Sequence, residues 1–436
     1  MSDPPASPQW FGQPRGLTIL FLTQMWEIFS YYGMRVLLVY YMTKQLLMEQ
    51  QQASLVYGIY VATFYFTPIL GGIVADRWLG KRRAVIIGAA IMSLGHFLMA
   101  SESLLYPALA AIAVGNGLFL PSLPSQVDGL YAKDDPRRGS AYNVYYVGIN
   151  VGGLLAPLVC GTLGEVYGWH WGFGAAGIGM LLGLAVYVWG GRYLPREAPP
   201  GREAEAVEAG AAAGSGPDMA MRIRVLAAIA LCVMLFRGSY EQVGNTIALW
   251  ADTGIDRSLG ALTIPMTWFQ SINPFLVIAL TPLYLALWTR RARQGREPAS
   301  ARKMAHGAFV VASAYLLLGA VAASSPAGQA SWTWLALFFV VLTAGELMIL
   351  PVGLGLFARL APARFRATTV AAWFFASFGG NLLAGYLGTF WSRLGPASFF
   401  LLMAAVAAAA GMLLWLLTGP SRQIEGGGRA ETGVRV

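Results

Sequence analysis

Charge and cysteine are both scarce in this sequence. Only 12% of the 436 residues are charged, about half the share of a typical soluble domain. The two cysteines, Cys160 and Cys232, fall inside apolar stretches, where a packing role is expected and a disulfide is not. The three histidines have no metal-ligand spacing from one another, so no metal site is predicted. Together these absences exclude an ordinary soluble protein and a disulfide-stapled one.

Catalytic constellations are missing as well. No histidine pairs with an acid in an active-site pattern, no serine has a base, and no glycine-rich loop matches a phosphate-binding motif. We therefore expect no catalytic residues, no cofactor and no enzyme activity.

Long apolar blocks make up most of the chain instead. Apolar residues account for 56% of the sequence, and the mean hydropathy is +0.56. Each block has about 20 residues, the length of a membrane-spanning helix. The pattern predicts an all-α membrane protein with twelve transmembrane helices. The predicted spans are 18–43, 54–75, 84–101, 104–127, 140–166, 172–190, 223–251, 260–288, 305–323, 332–357, 367–392 and 397–418.

Basic residues mark alternate loops. The net charge of +9 comes mainly from cations that follow every second span, as in Arg77 to Arg83 and Arg290 to Lys303. The intervening loops are nearly uncharged. By the positive-inside rule, both termini face the cytoplasm and the chain is a multi-pass protein of the inner (plasma) membrane. The positive charge is thus interpreted as a determinant of membrane topology and not as a binding surface for nucleic acid.

One polar gap divides the spans into two sets of six. Residues 191–221 contain no apolar block and are rich in Pro, Ala, Glu and Gly, a composition typical of flexible linkers. The predicted domains are a six-helix bundle at 1–190, a cytoplasmic linker at 191–221, a second six-helix bundle at 222–420 and a cytoplasmic tail at 421–436. This layout resembles the major facilitator superfamily, whose two halves rock around a central site.

The loop after the second span supports this resemblance. It matches the superfamily pattern G-x-x-x-D-R-x-x-G-[RK]-[RK] from Gly72 through Arg82, and a further cation, Arg83, follows directly. Asp76 and Arg77 are predicted to form a conformational latch, in which Asp76 pairs with cations and helix ends on the cytoplasmic side. The alternative is that the loop serves topology alone.

The first span carries a polar stripe. On a helix, Gln24, Glu27, Tyr31 and Arg35 lie along one face. A carboxylate or guanidinium in hydrocarbon costs about 3 kcal/mol on insertion scales, so this face must point away from lipid. We expect the stripe to line a polar interior.

Short motifs recur along the spans in a fixed order. In span one, Phe29 to Arg35 reads F-S-Y-Y-G-M-R. The other motif positions are Tyr65, Thr67, Pro68, Gly115, Gly117, Pro121, Tyr145, Tyr146, Asn150, Gly152, Glu241, Gln242, Gln270, Ser271, Ile272, Asn273, Pro274, Gly345, Glu346, Leu347, Trp373, Phe374, Phe375, Gly380 and Asn381. In this order they resemble the proton-dependent oligopeptide transporter family, whose first span reads E-x-x-E-R-F-S-Y-Y-G-M-R. The resemblance covers nearly the whole chain.

Three positions depart from the family pattern. The first Glu of E-x-x-E-R is Gln24, its Arg is Ile28, and the Lys that the family has in span four is Leu120. In typical members these positions form one charge cluster. Losing both cations together with one carboxylate is mutually consistent, because removing one partner alone would leave a buried charge unpaired.

The resemblance implies that the chain transports di- and tripeptides. A peptide is a zwitterion, so Arg35 is predicted to bind its carboxylate and Glu346 its ammonium group. For Arg35 an internal salt bridge remains an alternative, and for Glu346 a structural cap. The remaining predicted substrate-binding residues supply hydrogen bonds and apolar walls; they are Tyr31, Tyr32, Tyr65, Tyr146, Asn150, Asn273, Trp373 and Ser377.

Proton coupling requires a carboxylate whose charge is stabilised in one state of the cycle only. Glu241 is the first candidate, because Arg237 precedes it by one helical turn and Asn245 follows by one. Glu27 is the second. A permanent pair between Glu241 and Arg237 is the alternative.

Overall the sequence predicts a proton-coupled symporter that imports di- and tripeptides by alternating access through a site between its two bundles. Its expected partners are peptides, protons and the lipid bilayer, and it is expected to be a monomer. The alternatives are an exporter of peptide-like drugs or organic anions, or a transporter-like sensor with weakened proton coupling.

Overall fold

The computed structural model describes residues 9–10, 12–132, 135, 137–195, 217–325, 329–360 and 366–431. The chain divides into two compact units. Unit 1 comprises Met1–Tyr41 and Phe66–Glu208, and unit 2 comprises Met42–Tyr65 and Ala209–Val436. Residues 42–65 therefore group with the second unit, whereas the predicted boundary assigns them to the first bundle. Most of the predicted linker and residues 432–436 of the tail lie outside the described residues.

The described part of unit 1 consists of helices, the turns that connect them, and a two-stranded hairpin before the first helix. The strands are β1 (Gln9–Trp10) and β2 (Gln13–Pro14). The helices are α1 (Arg15–Tyr40), the second half of α2 (Gln50–Val74), α3 (Lys81–Leu98), α4 (Leu105–Ser122), α5 (Arg138–Ala156) and α6 (Trp169–Gly190). Short π segments lie at Ala75–Leu79, Pro157–Gly161 and Leu163–Tyr167, and 3-10 turns at Glu102–Leu104, Pro124–Gln126, Asp128–Leu130 and Gly191–Tyr193. Helix α1 packs against α5 and α6, and α3 packs against α4.

Unit 2 contains the first half of α2 and nine further helices in the described part of the chain. The π segment Tyr41–Gln45 precedes α2, and its residues from Met42 onward belong to unit 2. These are α7 (Pro217–Tyr240), α8 (Thr246–Thr253), α9 (Phe269–Arg293), α10 (Ser300–Ser324), α11 (Trp332–Glu346), α12 (Leu350–Leu360), α13 (Arg366–Gly388), α14 (Trp391–Leu416) and α15 (Thr418–Glu431). Its short strands are β3 (Ile255–Asp256), β4 (Ser258–Leu259), β5 (Leu262–Thr263) and β6 (Ala330–Ser331). Helix α10 packs against α14 and α11, and α7 packs against α13.

Nine helical stretches within the described residues are long and apolar enough to span a membrane. Helices α1, α3 and α13 are not among them. For α1 the reason is its polar stripe, since Gln24, Glu27 and Arg35 lower its mean hydropathy. The predicted count of twelve spans therefore stays a prediction.

Two predicted spans are broken where they carry a charged site residue. Span seven changes at Glu241 from α7 to a 3-10 turn, Glu241–Gly244, and turns sharply at Asn245 (φ −117°, ψ −97°). At this break, Gln242 Nε2 donates to the carbonyl oxygens of Gly238 (3.1 Å), one turn earlier, and of Ala384 (2.8 Å) on α13. Because the helix is interrupted at Glu241 and turns at Asn245, the prediction that one continuous helix aligns Arg237, Glu241 and Asn245 is wrong.

Span ten breaks in the same way, immediately after Glu346. Helix α11 ends there, and Leu347 to Ile349 form a turn before α12 begins at Leu350. Pro351 lies in the first turn of α12, where its missing N–H costs nothing, but it could not continue the preceding helix. Broken helices of this kind leave backbone groups free near polar sites in membrane proteins.

Span eight begins later than predicted. Its helix α9 starts at Phe269, whereas residues 258–263 form the antiparallel hairpin of β4 and β5. Gly260 occupies its two-residue turn with φ +63°, a conformation that glycine adopts without strain. The predicted tail also begins with helical structure, since α15 runs from Thr418 to Glu431.

A glycine contact joins α2 to α13 within unit 2. A Cβ added to Gly58 would lie 2.4 Å from the Cα of Gly385, so the two backbones touch without intervening side chains. We expect Gly58→Ala to reduce the free energy of unfolding by about 1 to 3 kcal/mol, since overpacking forces the backbones apart. Gly355→Ala is the matched control, because a Cβ there meets nothing within 4 Å. Thermal unfolding in detergent measures both, and equal shifts would contradict the prediction.

Candidate functional site

The polar stripe of α1 is buried inside unit 1. Gln24, Glu27, Tyr31 and Arg35 are exposed by 1%, 0%, 3% and 8%. The prediction that this face avoids lipid is therefore confirmed. Helices α5 and α6 pack against α1, and they supply the cover that the charged groups need.

The lower half of the stripe is a chain of hydrogen bonds. Tyr145 Oη donates to Gln24 Oε1, and Gln24 Nε2 donates to Glu27 Oε2 at 2.7 Å. The other carboxyl oxygen, Glu27 Oε1, is buried and has no hydrogen-bond partner among the described residues. Among the described residues, the Gln24 amide is the side-chain donor to the Glu27 carboxyl group.

Tyr145 is the site residue that the sequence interpretation missed. The sequence places it among the motif positions but predicts Tyr146 as the substrate-binding tyrosine. Tyr145 is 5% exposed and bonded to Gln24, whereas Tyr146 is 42% exposed. The Tyr146 carbonyl accepts from Asn150 Nδ2 at 3.0 Å, so Asn150, 8% exposed, is held by its own helix. The side chains of adjacent helical residues point about 100° apart. Whether Tyr145 or Tyr146 faces α1 therefore depends on how α5 packs against α1.

The upper half of the stripe holds the Arg35 guanidinium between two tyrosines. Its Cζ lies 5.9 Å from the ring centroid of Tyr31 and 5.7 Å from that of Tyr32. The two rings meet edge to face, with centroids 5.4 Å apart. Cation–π contacts of this kind restrict the position of a guanidinium.

In unit 2 the predicted coupling pair is formed. Arg237 Nη1 donates to Glu241 Oε1 at 2.7 Å, and both side chains are buried. Arg237 also lies over the ring of Tyr65, with its Cζ 5.2 Å from the centroid. These three predicted residues therefore come together, at the point where α7 gives way to the 3-10 turn.

A second cluster surrounds Glu346. Asn273 Nδ2 donates to Glu346 Oε2 at 2.6 Å and to Thr343 Oγ1 at 2.9 Å. The cluster joins α9 to the end of α11, and the residues of the α11–α12 turn follow it directly. Asn273 and Glu346 were both predicted, whereas Thr343, one helical turn before Glu346, was not. In the sequence, Thr343 is recognisable as a hydrogen-bond acceptor that lies one helical turn from the Glu346 carboxylate on the same predicted span.

The predicted residues on α13 lie one turn apart and are buried. Ser377 Oγ donates to the Trp373 carbonyl (3.1 Å), and Asn381 Nδ2 donates to the Ser377 carbonyl (2.8 Å). Trp373 packs edge to face on Phe357 with centroids 5.4 Å apart. Asn381 Oδ1 is buried without a hydrogen-bond partner among the described residues.

The predicted latch residues Asp76 and Arg77 lie on the exposed π segment after α2. Gly80 separates this segment from α3 with φ +78°, which explains the glycine of the loop motif. Their latch role stays a prediction. Among the described residues no group of three or more His, Cys, Asp or Glu side chains could hold a metal ion.

Comparison with known proteins identifies the family. The profile of the POT family matches residues 82–209 and 217–398. The chain belongs to the POT family. Its similarity to the "Di-/tripeptide transporter" of Lactococcus lactis subsp. cremoris is 31% identity over 96% of this chain and 97% of that protein. The "Peptide transporter YePEPT" of Yersinia enterocolitica is 32% identical over 89% of this chain and 90% of that protein.

Solved structures agree with this assignment. The crystal structure of a peptide transporter POT in complex with sulfate superposes with a TM-score of 0.87, at 28% identity, covering 96% of this chain and 97% of that one. The predicted fold class, an all-helical membrane transporter of the major facilitator type, is confirmed. The POT protein described here is thus a multi-pass membrane protein of a transporter family.

Proposed function

We propose that this POT protein imports di- and tripeptides by alternating access, coupled to protons that enter with the substrate. The observation that carries the proposal is the presence of two oppositely charged side chains in oriented positions: the buried Arg35 contacts two tyrosine rings, and the half-buried Glu346 accepts a hydrogen bond from Asn273. A peptide of any sequence offers one carboxylate and one ammonium group. The relatives whose names specify di- and tripeptide or peptide transport support the same substrate class.

Arg35 is the proposed carboxylate anchor. Its planar fork matches both oxygens of a carboxylate, and the two rings beneath it limit its rotation, so little entropy is lost on binding. Tyr65, Tyr146, Asn150, Trp373 and Ser377 remain proposed contacts to the peptide side chains.

Glu346 is the proposed ammonium anchor. Asn273 donates to one carboxyl oxygen, and the carboxylate has further acceptor sites for an ammonium group. Because Asn273 also contacts Thr343, the carboxylate is oriented from α9 as well as from its own helix.

Glu241 and Arg237 are the proposed coupling pair. In the observed geometry Arg237 is paired with the Glu241 carboxylate, and the proposed cycle separates the two side chains in the state in which Glu241 carries the proton. The 3-10 turn at Glu241 offers a place where such a separation requires little backbone movement, since the helix is already interrupted there.

Proteoliposomes with an inward proton gradient test the proposal. Labelled dialanine should accumulate above its external concentration, and a protonophore should abolish the accumulation. Indifference to dialanine, or accumulation without a gradient, would rule the proposal out.

A second candidate function is weakly coupled export or sensing. The observation that favours it is Glu27, which has one amide donor and no cationic partner among the described residues. If Glu27 carries the proton in the transport cycle, an amide donor in place of a cationic partner would weaken proton coupling. The chain would then behave as an exporter of peptide-like drugs or organic anions or as a sensor.

Glu27→Gln tests which acid carries the proton in the proposed symporter. In the proposed symporter, Gln at this position can still accept the Gln24 hydrogen bond, so uphill dialanine uptake should stay close to that of the unmodified protein. Tyr145→Phe, which removes the donor to Gln24 and keeps the acid, is the matched control. Loss of uphill uptake in Glu27→Gln with counterflow retained would instead place the proton on Glu27.

The remaining proposals concern the location of the protein, its oligomeric state, its cofactors and coupling ion, and the latch. We propose the inner membrane as the location, a monomer as the working form, and no cofactor, metal or catalytic activity beyond transport. Protons are the proposed coupling ion, and Asp76 and Arg77 the proposed latch.

A further inference from the structure

An alternating stack of aromatic rings and guanidinium groups lies at one end of unit 1. It consists of Trp10, Arg15, Tyr193, Arg192 and Trp189, and we call it the aromatic–arginine stack. Residues far apart in the sequence form it: the initial hairpin, the start of α1, the end of α6 and the 3-10 turn that follows. None of these side chains belongs to the peptide site.

The distances define a continuous ladder. The Arg15 Cζ lies 5.2 Å from the Trp10 ring centroid and 5.6 Å from that of Tyr193. On the other side of the ladder, the Arg192 Cζ lies 4.8 Å from the Tyr193 centroid and 5.4 Å from that of Trp189. Each guanidinium thus contacts two rings, and Tyr193 is shared by both.

Neighbouring contacts hold the ladder in place. Tyr131 Oη donates to Gln13 Oε1 at 2.8 Å, and Arg137 Nη1 donates to the Gly12 carbonyl at 3.0 Å. A Cβ added to Gly16 would lie 2.7 Å from the Tyr193 carbonyl oxygen, so α1 and residues 191–193 are in close contact. These contacts hold the side chains of the stack in a defined position within unit 1.

The two guanidinium groups have no acidic partner among the described residues. The nearby acids are engaged elsewhere: Asp135 pairs with Arg137 at 2.8 Å and Asp128 with Arg138 at 2.9 Å. The hydrogen bonds from Arg137 lower the pKa of Asp135, so that carboxylate stays charged and paired. Arg15 Nε is buried and lacks a hydrogen-bond acceptor in the described part of the chain.

The stack is placed where lipid headgroups would meet it. Trp189 is 64% exposed at the end of a span, and Arg192 is exposed beside it. The same end carries the basic loops that the positive-inside rule assigns to the cytoplasm. Exposed tryptophan next to arginine is typical of the membrane interface, and basic pockets on this side of transport proteins recruit anionic headgroups.

We propose that the aromatic–arginine stack binds the phosphate of an anionic phospholipid from the cytoplasmic leaflet. Arg192 donates two N–H groups to the phosphate oxygens, Arg15 adds the second positive charge, and Trp189 contacts the upper acyl chain. The rings orient both guanidinium planes before the lipid arrives, which limits the entropy lost on binding.

Native mass spectrometry of the delipidated full-length protein tests the site. With phosphatidylglycerol the protein should retain one lipid more tightly than with phosphatidylcholine, and Arg192→Gln should weaken that lipid about fivefold. Arg192→Lys, which keeps the charge and loses the planar fork, should also weaken it. The rise in melting temperature caused by phosphatidylglycerol should be smaller in Arg192→Gln and Arg192→Lys than in the unmodified protein, and this second readout also verifies that each variant is folded.

Arg83→Gln is the matched control. It removes the same charge from an exposed position near the start of α3, in the same group of basic residues, but Arg83 contacts no aromatic ring in the described structure. If Arg83→Gln weakens phosphatidylglycerol binding as much as Arg192→Gln does, the weakening comes from general surface charge and the proposal is overturned. Equal retention of the two lipids, or displacement of phosphatidylglycerol by inorganic phosphate at matched concentration, would also overturn it. Unchanged lipid binding in Arg192→Gln would overturn it as well.

Discussion

Glu241→Gln is expected to abolish uphill peptide uptake while leaving peptide exchange intact. The carboxylate accepts a 2.7 Å hydrogen bond from Arg237 in a buried site, and glutamine can accept the same bond but cannot carry a proton through the cycle. Dialanine accumulation in proteoliposomes under a proton gradient should fall to the level seen without a gradient. Counterflow, in which labelled peptide exchanges for unlabelled peptide without net proton movement, should persist.

Two controls make the result interpretable. Removing a charge from a buried ion pair can cost about 3 to 5 kcal/mol of stability, so the melting temperature and the dialanine affinity of the variant must be measured alongside transport. Glu27→Gln, which neutralises the other buried acid, should keep uphill uptake. If Glu241→Gln still concentrates dialanine, the pair with Arg237 is structural and the coupling proposal fails.

Arg35→Ala is expected to weaken dialanine binding by about 2 to 5 kcal/mol, the range found when one member of a buried charge pair is removed. Arg35 offers the guanidinium fork and is itself held by Tyr31 and Tyr32. Competition binding to the purified protein measures the loss. Arg35→Lys keeps the charge without the fork and should lose part of the affinity.

Ligand variants identify which end of the peptide each anchor binds. In the unmodified protein, amidation of the dialanine carboxylate and acetylation of its amine should each reduce affinity. Arg35→Ala should become insensitive to amidation and stay sensitive to acetylation, and Glu346→Gln should have the opposite pattern. The assignment is refuted if both variants respond alike to the two modified peptides.

Much of the site was recognisable in the sequence because it follows helical spacing. Arg237 and Glu241 lie four residues apart and form the predicted pair, and Gln24, Glu27, Tyr31 and Arg35 are buried along one face as predicted. Neither prediction needed a tertiary contact, since a single helix sets which side chains share a face. The roles of these residues in binding and coupling stay predictions.

Contacts across helices were predictable only in part. Tyr145 was passed over for its neighbour, and Asn273 and Glu346 were each predicted without their 2.6 Å contact. A motif reports that two polar residues are present, whereas their distance depends on how two separate helices pack. The helix interruptions at Glu241 and Glu346 were missed for a related reason, since apolar composition continues through both breaks.

By itself the sequence determined the membrane class, the family and the polar face of α1, because hydropathy, motif order and helical periodicity are local properties. Tertiary structure alone decided that Gln24 connects Tyr145 to Glu27, that residues 42–65 join unit 2, and that Arg15 and Arg192 share Tyr193. Each of these depends on packing between segments distant in the chain, where small rotations or shifts of a helix change which atoms meet.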